Sequence, residues 1–113
     1  MTAALTTLTS LLAARESAPM PCHIAGSPPV MIPTDQASRL GYMEALALAD
    51  ANAVYVALAA DGTVAHVPMA DLRVFCRAML ARSVACRIRF AQLLDDAAAG
   101  NTSNFAAGWP VPV

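Results

Sequence analysis

At 113 residues the chain has the size of one domain, and much of its 58% hydrophobic share is alanine, so it can bury only a modest core. Charged residues make up 13% and the net charge is −1, which leaves no strong field to gather nucleic acid or membrane lipid. No apolar run reaches the ~18 residues of a membrane span, and three cysteines, an odd number, argue against a disulfide framework.

In chain order, residues 2–16 read as a helix, with Leu5, Leu8 and Leu12 at helical spacing and Thr2 at the cap. The segment lacks a basic start and runs into Arg15 and Glu16, so it makes a poor secretory signal and the chain is expected to be made in the cytoplasm. Pro19, Pro21, Pro28, Pro29 and Pro33 then forbid regular helix or central strand, which predicts an extended connector. Residues 1–33 are therefore expected to form an arm of helix plus proline-rich connector.

Thr34 opens the next predicted helix as its cap, with Asp35 in the first turn. Leu40, Met43 and Ala47 mark its apolar row, and it should run to about Asp50. Val54, Val56 and Leu58 alternate with Tyr55, Ala57 and Ala59, and Asp61-Gly62 is a strong hairpin-turn dipeptide before the return strand Val64 to Val67. The last helix should span 69–99 and stop at Gly100. Its residues Leu72, Cys76, Met79, Ser83, Cys86, Phe90, Leu93 and Ala97 recur at alternating steps of four and three, a heptad seam. Residues 34–100 thus read as a helix–hairpin–long helix domain, and 101–113 as an irregular tail around Trp109. The predicted class is α+β, mostly helical.

A rod of this length exposes more apolar surface than a small body needs to cover. Leu72, Cys76, Met79, Cys86, Phe90 and Leu93 are therefore expected to serve both core and interface, in a homo-oligomer. Leu5, Leu8, Leu12 and Trp109 are the residues expected to reach a partner.

Catalytic and ligand-binding patterns are weak. Cys22, His23, His66, Cys76 and Cys86 are the soft metal-ligand candidates, but none lies at a metal-site spacing. Cys76 and Cys86 stand about 15 Å apart by helical rise and read as small core residues. Neither histidine sits in a signature that would activate a serine or cysteine. Asp95-Asp96 reads as a solvated helix face, and Asp61-Gly62 is a turn rather than a phosphate loop. No catalytic, cofactor or metal residue is expected. All seven basic residues are arginines. Arg73, Arg77, Arg82, Arg87 and Arg89 lie beside the seam and read as a solvated rim, placed to pair across chains with Asp95 and Asp96.

One order of features is familiar. Thr34-Asp35 opens a helix containing Ser38, Leu40, Ala45 and Ala47. A strand, the Asp61-Gly62 turn and a return strand ending in Val67 follow. A long helix then begins with Ala70-Asp71-Leu72 and carries Ala78, the run Val84-Ala85-Cys86, Phe90 and Leu93. Over residues 32–100 this resembles an uncharacterised domain family of phage and prophage tail and tail-fibre proteins. Family members commonly carry tryptophan in the first strand and histidine before the last run, where this chain has Tyr55 and Ser83. The resemblance implies a virion structural protein of the tail, made in the bacterial host cytoplasm and assembling with other tail or fibre proteins. A tail-fibre assembly chaperone absent from the mature particle is the alternative, and a small DNA-binding regulator a further one. Neither nucleic acid nor membrane is the expected partner.

Overall fold

The computed structural model describes residues 2–111. Its elements in order are helix α1 (Thr2–Ser17), strands β1 (Met20–Cys22) and β2 (Val30–Ile32), helix α2 (Gln36–Leu48), strands β3 (Val54–Leu58) and β4 (Val64–Pro68), and helix α3 (Met69–Ala98). The α+β class holds, with two hairpins and three helices, the C-terminal one long. The body is elongated, 52 × 26 × 19 Å, because α3 forms its spine.

The proline-rich segment departs from the expected extended connector. Met20 pairs with Ile32, Pro21 with Met31 and Cys22 with Val30, so it folds back as an antiparallel hairpin. In a two-stranded ribbon each strand has an unpaired side, so Pro21 can sit there without breaking a ladder bond. Burial stabilises this short ribbon, for Met20, Cys22 and Ile32 are all in the core. The Ala60 amide donates to the Met31 carbonyl at 2.8 Å and ties it to the second hairpin.

In that second hairpin Tyr55 pairs with Val67, Ala57 with Ala65 and Leu58 with Val64. Gly62 takes φ +88° in the turn, and the Asp61 carboxylate accepts from the Thr63 amide at 3.0 Å and its hydroxyl at 2.6 Å. The small side chains face inward. Ala57, Ala65 and Val67 are buried against α3, whereas Val54, Val56, Leu58 and Val64 face outward.

Two cores flank the middle of α3. The first joins both hairpins, Tyr42 of α2, and Leu72, Phe75, Cys76 and Met79 of α3. The Tyr42 ring meets Tyr55 and Phe75 edge-on at centroid distances of 5.4 and 5.7 Å. The second joins Leu8 of α1, Cys86 and Leu93 of α3, and Trp109 of the tail. The helical first segment thus lies along α3, and the tail closes over their junction. The Trp109 indole N–H donates to the Phe105 carbonyl at 2.7 Å, and Arg89 Nε donates to the Ala107 carbonyl at 2.8 Å.

Candidate interaction surfaces

Between the two cores lies a polar clamp built from all three helices and the segments that follow α1 and precede α2. Thr34 does not cap α2; Asp35 holds that position. The Thr34 hydroxyl is buried, lies 3.1 Å from the Glu16 carbonyl and 2.8 Å from the Ala18 carbonyl, and receives Arg82 Nη2 at 2.7 Å. Arg82, expected on a solvated rim, is 5% exposed. Its guanidinium also donates to the Ala18 carbonyl at 2.6 Å and to the Glu16 carbonyl at 2.5 Å. Arg39 adds donors to the Thr34 carbonyl at 2.6 Å, to Ser83 Oγ at 3.0 Å and to the Glu16 carbonyl.

The physical reason is the end of α1. Its last carbonyls have no helical donors and carry the negative end of the helix dipole, so two cations satisfy both needs at once. Burial, then repulsion from Arg39, pulls Arg82 below the ordinary arginine value. Arg87 holds the Glu16 carboxylate at 3.1 Å. These arginines therefore hold the chain together. Ser83, the one hydroxyl within the apolar seam, was the sequence signal for a buried polar partner.

The seam residues all face their own chain. Leu72, Cys76, Met79, Cys86 and Leu93 are buried and Phe90 is half-buried. Of the residues expected to reach a partner, Leu8 and Trp109 are buried in the second core, Leu12 is half-buried there, and Leu5 is exposed. Own-chain cover exists because α1 and the tail fold back on α3 rather than projecting from it. The cysteines are free and buried. Burial raises all three thiols, Cys22 to about 11 with Asp71 and Cys76 adding to the effect, so they stay protonated near neutrality. Among the described residues no group of three or more His, Cys, Asp and Glu is placed to hold a metal ion, and no helix is long and apolar enough to cross a membrane.

Among the described residues, three apolar patches stand out on the surface beside scattered exposed residues such as Leu5, Leu40 and Leu48. One is the outer face of the second hairpin, with Val54, Val56, Leu58 and Val64. The next is a groove of about 450 Å³ between α2 and α3, walled by Met43, Leu46, Met79 and Leu80 and rimmed by Arg73 and Arg77. The last is the side of α3 opposite its core, where Val74, Val84 and Ile88 are 59%, 51% and 56% exposed. Sequence reasoning missed this third surface because one strong seam was enough to make a helix amphipathic on paper. Yet Val74, Val84 and Ile88 were visible off that seam. No family model, curated protein or solved structure matches the chain.

Proposed function

We propose that this protein is a non-catalytic assembly subunit, working by protein–protein contact within a phage tail or tail fibre. One observation carries the reading. The seam of α3 is already satisfied inside the molecule, and its opposite side is apolar as well. A helix needs only one apolar face to fold onto a body; a second, left in water, marks a surface to be covered. The order of features over residues 32–100 supports the tail setting. In that setting the chain is made in the bacterial host cytoplasm, ends in the virion, and meets other tail or fibre proteins and its own copies.

The use of the arginines weighs against the DNA-binding reading. Arg39, Arg82, Arg87 and Arg89 bond to their own chain, which leaves few cations for phosphate. The test is direct. Mass spectrometry of particles purified from cells that make this chain should find it among the tail proteins. Val84→Asp should cut the yield of complete tails at least about tenfold, the order expected from burying one unpaired charge in an interface. A chain needed for assembly but missing from particles would turn the reading to the chaperone. Full particle yield from Val84→Asp would end the assembly reading.

A further inference from the structure

We infer that the solvent side of α3 pairs with the same side of a second copy of this chain, antiparallel and centred opposite Cys86. The face carries a heptad pattern of its own. Arg77, Ala81, Val84, Ile88, Ala91 and Asp95 follow each other at alternating steps of four and three, and all six are exposed. They lie on the side of the helix away from Leu72, Met79, Cys86 and Leu93, which centre its buried face.

The order of residues along this face is self-complementary. A two-fold axis level with Cys86, across the helix from it, sets Arg77 against the second copy's Asp95, Ala81 against its Ala91, and Val84 against its Ile88. Each layer then joins an a-type position to a d-type one, as antiparallel helix pairs require. The two charges stand about 27 Å apart by helical rise, so the dimer would hold one ion pair near each end. A shift by one heptad leaves both charges facing apolar residues or nothing. Parallel pairing sets arginine on arginine and aspartate on aspartate. One register in one orientation therefore satisfies both ends.

The surroundings agree. Neither the Arg77 nor the Asp95 side chain has a hydrogen bond or ion pair among the described residues. The Ala81 and Ala91 layers are small, which lets the helix axes approach to about 8 Å. Arg87, beside the seam near the axis, is already neutralised by Glu16 at 3.1 Å.

The inference rests on the assembly reading in that both use this face of α3, and the experiment separates them. Sedimentation equilibrium of the full chain at micromolar concentration should give a monomer–dimer equilibrium. Arg77→Asp and Asp95→Arg should each weaken it by about tenfold or more, because symmetry breaks two ion pairs with one substitution. The double variant Arg77→Asp/Asp95→Arg should return the affinity to within about threefold of the parent, since reversed pairs are again opposite. Mixing Val84→Cys with Ile88→Cys under mild oxidation should give the mixed disulfide in preference to either like pair. A parent that stays monomeric, a double variant no better than the singles, or a preference for like pairs would overturn the pairing. A monomeric parent whose Val84→Asp variant still fails to build tails would overturn the pairing and leave the assembly reading standing. Paired helices with full tail yield from Val84→Asp would do the reverse.

Discussion

Arg82 is the residue on which the two halves of the molecule meet. It bonds to the carbonyls of Glu16 and Ala18 and to Thr34 Oγ1, all buried or half-buried. Arg82→Ala removes three charge-assisted donors at once and leaves the Glu16 and Ala18 carbonyls with only Arg39 and the Thr34 hydroxyl, so the urea midpoint should fall by the equivalent of about 3 kcal/mol. Arg82→Lys should recover only part of this, because an ammonium cannot reproduce the planar fork. Cys22 gives the second test at this scale. Its thiol is raised from 9.0 to about 11 in the fold, so the unfolded chain releases the proton first. Its contribution is complete below pH 9.0 and is lost as the pH climbs to about 11. Tyr42, Cys76 and Cys86 are raised as well and act in the same direction. Guanidinium unfolding across this window should show declining stability, with a shallower slope for Cys22→Ala. The position of Arg82 could not be read from the chain, since an arginine flanking an apolar seam is ordinarily solvated. Only the arrival of the α1 carbonyls gives it a reason to be buried.

Among the elements, α3 was the most legible. Its seam and the Gly100 stop, at φ +90°, are local features, and the helix ends at Ala98, one residue short of the expected end. The second hairpin was legible for the same reason, because Asp61-Gly62 encodes its turn. Gly62→Ala should cost about 1 kcal/mol through its φ of +88°, measured as a shift in thermal midpoint. The first hairpin was not legible. Five prolines speak against strand, and the pairing of Met20 with Ile32 comes from burying both against the first core. Helix α1 was visible but its docking was not. Its outer side is mostly threonine, serine and alanine, and Thr9 and Ser17 return their hydroxyls to the Leu5 and Ala13 carbonyls at 2.7 Å. Leu8, fully buried in the second core, anchors it. Leu8→Ala should destabilise by about 3 kcal/mol, and hydrogen exchange should rise first in α1.

At the scale of the whole molecule, the two cores and the clamp between them make one elongated body that leaves apolar patches on the outer hairpin face, in the groove between α2 and α3 and along the open side of α3. Those surfaces should be dispensable for folding. Val84→Asp, on the open side of α3, should leave the unfolding midpoint within about 0.5 kcal/mol of the parent in urea titrations run dilute enough that both are monomers. A larger loss would mean that this side is covered by the chain itself. The alternation of Val54, Val56 and Leu58 with Tyr55, Ala57 and Ala59 identified a strand in advance but not its inner face. The alanines turn inward because Ala57 and Ala65 let the hairpin approach α3 closely enough for Leu72 and Phe75 to fill the gap.

By itself the sequence determined what depends on neighbours a few residues away: the helical periods, the Asp61-Gly62 turn, the Gly100 stop and the α+β class. Tertiary structure alone decided that the α3 seam is spent within the chain rather than on a partner, that the prolines pair as strands, and that Arg39 and Arg82 belong to the end of α1. These choices follow from which surfaces meet after the chain folds back. Burial and the pairing of distant polar groups reward such meetings, and no local pattern records them.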